Sequence, residues 1–275
     1  MKRLLSMKNL LLFVMIFAIS LTGFSKKKIV SSSWIGMPLS IDGSHTDWTD
    51  VTFTSAKRLS IDYSFKNDGE NLYVIFVFRE SRYLSTIRGT GMTIWFNNEG
   101  KKKRNYGIKF TKEQVSAEEF ISYLEQRKGP LSEEEKNEVR SRRNYFLHKI
   151  TVVGKKSKSS RQVYDKGEIK PAAFRTAKQE DATVYEFAIP LKRVAEKAPG
   201  IGTEPGKIVK VGFEWGGMTE EMKAARIKRL KGPGGGPEKL VSTSDRSRKS
   251  VGVTRSGQGP KKYTIWVDVQ LAKNQ

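Results

Sequence analysis

Two tryptophans could form part of a binding surface, because alternation places each of them on the polar face of a predicted strand. Trp95 shares its face with Asn97, and Trp266 shares its face with Asp268, while the residues that alternate with them are apolar. Glu214 likewise points away from the apolar residues of its strand. A flat aromatic ring packs on the apolar face of a pyranose, and neighbouring amides and carboxylates bind its hydroxyls. The predicted ligand is therefore a saccharide, bound by Trp95, Asn97, Glu214, Trp266 and Asp268.

The same two indole rings have an alternative explanation as members of a second, smaller core. An inserted helical segment or a basic loop could lie over that face of the sheet. Phe120, Ile121 and Leu124 have the helical spacing that would supply such a cover. The sequence leaves both alternatives open.

Catalytic residue patterns are absent from the sequence. It has two histidines, His45 and His148, no cysteine, no His-Glu-x-x-His pattern and no Gly-x-Ser-x-Gly pattern. Glu186 and Glu214 lie on predicted strands and are the best candidates for a glycosidase pair, whose chemistry depends on a separation that sequence does not give. We therefore expect a non-catalytic protein that needs no cofactor.

Metal and haem binding are two alternatives to saccharide binding. His45 with Asp42 and Asp47 could bind a metal ion, although aspartates in turns more often accept hydrogen bonds from backbone donors. A haem could be held by a methionine together with a histidine or lysine. His148 lies in a predicted strand, where a histidine is more often a half-buried structural residue.

The charge of the chain favours an anionic partner. It carries 51 Lys and Arg against 29 Asp and Glu, a formal net charge of +22. Basic runs at 101–104, 155–161 and 226–231 could contact phosphates, but no nucleic-acid fold signature accompanies them. We expect an anionic glycan or cell-envelope surface as the partner, with a partner protein as an alternative and without nucleic acid.

Residues 1–25 have the pattern of a secretory signal peptide. Three basic residues precede an apolar run at 10–21, and small residues at 23 and 25 suit cleavage near Ser25. The apolar run is shorter than the roughly 20 residues that span a bilayer. We therefore expect export to the periplasm, the cell surface or the medium, followed by a flexible lead at 26–37.

About ten strands are predicted, which favours an all-β antiparallel sandwich forming a single domain at 38–275. Asn67, Asp68 and Gly69 tolerate positive φ and predict a hairpin turn between the first two strands. The predicted strands lie at 59–65, 72–78, 92–97, 106–110, 145–153, 162–169, 173–177, 183–190, 208–215 and 263–271.

Two segments interrupt this strand pattern. Residues 112–143 contain two capping-box patterns, Ser116 with Glu119 and Ser132 with Glu135, and predict an inserted helical hairpin. Residues 216–262 are rich in Gly, Lys and Arg and predict a long basic loop, with one short helix possible at 218–230.

Four motifs in order resemble the family 9 carbohydrate-binding modules and the wider DOMON-like superfamily. They are Ile41-Asp42-Gly43 with Asp47-Trp48, residues 71–74, residues 185–191, and Pro205-Gly206-Lys207 leading into 211–215. The resemblance implies an antiparallel sandwich that binds saccharide, or haem in some DOMON relatives, without catalysis.

The chain departs from the family pattern in two places. Residues 91–98 lack the aspartates that family members often carry there, and the helical insertion and basic loop have no family counterpart. Among the motif residues, Gly43 permits a sharp turn and Trp48 is expected to pack at one end of the sandwich. These two residues predict a fold rather than a ligand.

Overall fold

The structure is a computed structural model that describes residues 29–154, 172–195, 198–218, 222–224 and 261–274, without the side chains of Arg82 and Ser85. The predicted signal peptide, the predicted strand at 162–169 and most of the predicted basic loop lie outside the described residues. No helix within the described ranges has the length and apolar character needed to cross a membrane.

Two sheets face each other and confirm the predicted β-sandwich. The first sheet has the order β1-β12-β11-β6-β7-β8, and the second has the order β2-β4-β5-β10-β9, with β3 also paired to β4. The strands of the described residues are β1 (Ile29–Ser31), β2 (Ser33–Trp34), β3 (Thr54–Ala56), β4 (Ile61–Asn67), β5 (Asn71–Phe78), β6 (Met92–Asn97), β7 (Tyr106–Val115), β8 (Tyr145–Gly154), β9 (Ala173–Gln179), β10 (Ala182–Pro190), β11 (Ile208–Gly216) and β12 (Lys262–Gln270).

The pairings are antiparallel except at the first two strands. β1 pairs in parallel with β12, and β2 pairs in parallel with β4. The sequence analysis placed residues 29–34 in a flexible lead, but they add one short strand to each sheet. The segment lies in a Lys-Ser-rich stretch without the apolar alternation of a strand. It becomes a strand because its backbone forms hydrogen bonds with the edges of the two sheets.

The larger of two buried clusters lies between the two sheets and follows the predicted alternation. Phe76 of β5 meets Phe213 of β11 edge-to-face, with ring centroids 4.5 Å apart. Aromatic pairs in this geometry add to the free energy gained from burying their apolar surface. Met92, Ile94 and Phe96 of β6 all belong to this core, so the remaining residues of β6 face outward.

A helix that the sequence analysis missed follows β5. This helix, α1 (Ser81–Thr90), buries Tyr83, Leu84 and Ile87, which recur at helical spacing. It ends at Gly91, whose φ of +71° is favourable for glycine. The pattern is only ten residues long, so contacts with the rest of the fold, rather than helix propensity, hold it.

The predicted helical insertion is confirmed as α2 (Ala117–Lys128) and α3 (Glu133–Ser141). Both capping boxes form, at Ser116 and at Ser132. The insertion begins later than predicted, because β7 continues to Val115 and pairs with β8 along its whole length. Phe120 of α2 stacks on Tyr145 of β8 at 4.3 Å, so the two helices pack beside the edge strand.

The β4–β5 hairpin forms as predicted, but its turn is held differently from our expectation. None of Asn67, Asp68 and Gly69 has a positive φ. Instead the Asp68 carboxylate accepts hydrogen bonds from the backbone N–H groups of Glu70 and Asn71, at 2.7 and 2.6 Å. A side-chain acceptor therefore replaces the backbone conformation that the Asn-Asp-Gly sequence suggested.

Candidate functional site

The two predicted tryptophans lie in one row across the outer face of the first sheet. In this row Trp266 of β12 pairs with Gly212 of β11, which pairs with Trp95 of β6, which pairs with Gly107 of β7. Each tryptophan is thus followed by a glycine on the next strand. This row, Trp266-Gly212-Trp95-Gly107, is called the indole row below.

Each indole ring leans over the glycine of the neighbouring strand. A Cβ atom at Gly212 would lie 2.6 Å from the Trp266 ring, and a Cβ atom at Gly107 would lie 2.6 Å from the Trp95 ring. These distances are shorter than any ordinary carbon contact, so only glycine leaves room for the rings. The indoles therefore lie against the sheet surface instead of standing away from it.

Both indoles are partly covered and partly exposed to solvent. Trp95 and Trp266 are both half-buried, whereas Trp48 and Trp215 are fully buried. The Trp95 Nε1–H has no hydrogen-bond partner among the described residues. Because this nitrogen atom is itself buried, it is not a contact point for a ligand.

Glu214 lies beside the indole row and is held by two cations. Its carboxylate is 2.6 Å from Arg104 Nε and 2.7 Å from Lys262 Nζ, and its side chain is 12% exposed. The Arg104 guanidinium lies 6.0 Å from the centroid of the Trp266 ring. The sequence-predicted residues Trp95, Trp266 and Glu214 are thus brought together, with Arg104 and Lys262 added to them.

Asn97 and Asp268 have structural roles close to the same face. The Asn97 Oδ1 accepts hydrogen bonds from the backbone N–H groups of Glu99 and Lys101, which closes the turn after β6. Asp268 is buried, and its Oδ1 is 2.6 Å from Lys210 Nζ. Asp268 lies on the same outer face as Trp266 but is covered there, so its carboxylate is paired with Lys210 instead of being exposed to a ligand.

The Ile41–Trp48 motif covers the outer face of the second sheet, where Trp48 packs against Ile75 and Val184. Glu186 of β10 is 0% exposed and accepts hydrogen bonds from Trp48 Nε1 at 2.9 Å and from the Asp42 and Gly43 backbone at 3.0 Å. Burial raises the pKa of Glu186, although these three donors act in the opposite direction. Gly43 has a φ of +86°, and a Cβ there would lie 2.9 Å from the Ala177 backbone nitrogen. Trp48 is buried as expected, but it packs on the outer face of the second sheet and not at one end of the sandwich. Glu186 is inaccessible to a substrate.

The candidate metal residues make other contacts. The Asp42 carboxylate accepts a hydrogen bond from the Ser44 backbone at 2.6 Å, and the His45 ring contacts Gln179. Within the described ranges, no three His, Asp or Glu residues gather as they would around a metal ion. His148 packs edge-on against Phe174, and burial lowers its pKa to about 4, with Arg175 and Lys112 contributing further.

The two glycines, Arg104 and Lys262 are members of this surface that were not predicted from the sequence. A glycine in a strand interior is a known signal of close approach by another group. Gly107 and Gly212 each occupy such a position on the polar face of a predicted strand. Strand register was needed to see that each glycine lies next to a tryptophan.

Comparison with known proteins gives similarity of fold only. No family model and no curated protein matches the chain. Two similar solved structures are carbohydrate binding module family 9 proteins from Caldicellulosiruptor kristjanssonii. The one in complex with cellotriose is 12% identical with a TM-score of 0.38, covering 90% of this chain and 95% of that one. The one in complex with glucose is 14% identical with a TM-score of 0.32, covering 71% of this chain and 81% of that one.

Proposed function

We propose that the outer face of the first sheet binds a saccharide without transforming it. One observation carries this proposal: Trp95 and Trp266 lie in one row, each against a glycine of the next strand. An aromatic surface held in this way offers a flat apolar plane to the carbon–hydrogen face of a sugar ring. Because the glycines leave room for the rings to lie against the sheet, the rings rest on the backbone of the next strand before a ligand binds.

The spacing of the indole row favours an oligosaccharide over a single sugar. The two tryptophans are on strands separated by one intervening strand, so their backbones lie roughly 10 Å apart. The ligand would lie across the strands and contact both rings. Arg104 and Lys262 could then donate hydrogen bonds to its oxygens, because both cations already meet at Glu214 on this face.

The charge near the indole row favours an anionic glycan. Arg104, Lys262 and Lys109 are placed on or beside this face, and Glu214 is contacted by two of these three cations. We further propose that the protein is exported and meets such a glycan at the cell envelope, on the basis of the N-terminal sequence and the net charge of +22.

A glycan array probed with the purified protein at low and high salt tests this function. Trp266→Ala should weaken binding to an array-positive glycan by about 1–3 kcal/mol, the amount expected for removing an aromatic contact. Phe146→Ala serves as the control, because Phe146 is 47% exposed but lies on the inner side of the first sheet. Stacking should survive high salt, whereas contacts to a charged group should weaken.

Gly212→Ala tests the arrangement without removing an aromatic ring. The added methyl would occupy the space of the Trp266 ring and displace it from the sheet. We expect weaker glycan binding with a retained fold. Wild-type protein that retains no saccharide on the array, or a Trp266→Ala variant that binds as well as the wild type, would contradict the proposal.

A further inference from the structure

A cleft lies on the other side of the first sheet from the indole row. A cleft of about 500 Å³ opens between the inner faces of the two sheets, beside α1. Met92 of β6 and Phe110 of β7 line it from the first sheet, and Phe174 and Tyr185 line it from the second. A volume of this size is within the range of small-molecule sites. The cleft is separate from the indole row, because residues of β6 that point inward cannot share a face with Trp95.

The deep part of the cleft is apolar and aromatic. Phe110 is 1% exposed and meets Phe174 edge-to-face, with ring centroids 5.8 Å apart. Phe174 in turn stacks on Tyr185 at 6.1 Å. An apolar group that packs against this aromatic wall would be removed from water on that side.

The outer part of the cleft is cationic, which is unusual for inward-facing strand positions. Ile108 and Phe110 of β7 point into the core, and the next residue on that side is Lys112. On β9 the corresponding series runs from Phe174 through Thr176 to Lys178. Arg88 of α1 adds a third cation.

No acidic residue is among the described residues that line the cleft. Lys112 Nζ instead lies 4.8 Å from the ring centroid of Phe146, an exposed aromatic residue on the same rim. The positive potential at this rim also acts on His148, whose pKa is lowered by burial and further by Arg175 and Lys112. An anionic group at the rim would therefore meet uncompensated positive potential.

We propose that this cleft binds a small amphipathic carboxylate, with its apolar body against the aromatic wall that includes Phe110 and Phe174 and its carboxylate beside Lys112 and Lys178. Each part of the ligand matches one part of the cleft. The aromatic walls favour an apolar body over a fully charged molecule, and the cations favour a carboxylate over a neutral group. The two binding surfaces lie on opposite faces of the first sheet and can be tested separately.

The test compares octanoate with octan-1-ol, which share an apolar chain but differ in charge. Calorimetry and competition against the fluorescent anion 1-anilinonaphthalene-8-sulfonate would measure binding to the full chain. Replacing both Lys112 and Lys178 with Gln should weaken octanoate binding about tenfold, from the loss of two solvent-exposed charge contacts, and leave octanol binding unchanged. Lys149→Gln is the matched control, because Lys149 lies on the opposite face of β8 beside Glu113.

A second variant places the site in the cleft. Thr183→Phe puts a ring at an inward position of β10 that lines the cleft, and it should abolish binding of both probes while the melting temperature is retained. Binding that survives Thr183→Phe would overturn the proposed location. Failure of wild-type protein to bind octanoate, or an equal loss of acid and alcohol in the Lys-to-Gln variant, would overturn the proposed ligand class.

Discussion

The buried carboxylate of Glu186 joins the segment from Asp42 to Trp48 to the outer face of the second sheet. It receives the Trp48 indole N–H on one oxygen and two backbone N–H groups, from Asp42 and Gly43, on the other. Glu186→Gln keeps the size of the side chain and changes only its hydrogen-bonding capacity. The amide oxygen of the new Gln side chain can still accept both backbone hydrogen bonds. The NH₂ group of that side chain must then face the indole N–H of Trp48.

The cost of this substitution follows from those three contacts. One hydrogen bond to a charged group is lost, and two donors are placed against each other in a site that is 0% exposed. We expect the free energy of unfolding to fall by about 2–3 kcal/mol, the range for leaving a buried donor unsatisfied. Urea unfolding followed by tryptophan fluorescence and by circular dichroism would measure it.

A double-mutant cycle separates this contact from general damage. Trp48→Phe removes the indole N–H, so the donor that opposes the Gln amide disappears in the double variant. We expect the two losses to be less than additive, with a coupling of about 1–2 kcal/mol. Strictly additive losses, or a Glu186→Gln variant as stable as the wild type, would refute the role assigned to this hydrogen bond.

The pH dependence of the Glu186→Gln effect has a defined sign. Because burial raises the pKa of Glu186, the folded state holds its proton more tightly than the unfolded chain. The stability gained from that proton is complete below the ordinary pKa of glutamate and is lost as pH rises through the raised pKa. The difference in stability between wild type and Glu186→Gln should therefore shrink as pH rises over this window.

Two further substitutions test other parts of the fold. Asn67 is buried and joins the two sheets, since its Oδ1 accepts a hydrogen bond from the Ala272 backbone N–H at 2.9 Å. Asn67→Leu should therefore lower the free energy of unfolding, measured in urea, by about 2–4 kcal/mol. The control substitution Asn98→Leu, at an exposed residue, should lower it by less. Burial lowers the pKa of His148 to about 4, so the unfolded chain takes up a proton first and stability is lost as pH falls from 6.5 towards 4. His148→Phe should reduce this acid-induced fall in melting temperature, and an unchanged pH profile would contradict that reasoning.

Alternation and capping patterns were sufficient to predict most of the architecture. The faces of β6 and β12 follow from period-two alternation alone, because one side of each strand is uniformly apolar. Both helices of the insertion begin at the predicted serine caps. By contrast, α1 was missed, since its three buried residues lie in a short polar sequence and gain their stability from the sheets they contact.

The candidate site was predictable only in part, because some of its contacts depend on which strands become neighbours in the fold. The outward direction of Trp95 and Trp266 follows from strand phase. The glycine beside each ring depends on cross-strand register, which a single strand does not encode. The burial of Asp268 against Lys210 likewise depends on which strands become neighbours.

The indole N–H resonances of the five tryptophans offer the most direct test of saccharide binding at the indole row. The titrant is a soluble oligosaccharide identified on the glycan array, and assignments come from single Trp-to-Phe variants. We expect the Trp95 and Trp266 resonances to shift with the ligand, while those of the buried Trp48 and Trp215 stay in place. Saturable binding that leaves the Trp95 and Trp266 resonances unmoved would contradict the proposed surface.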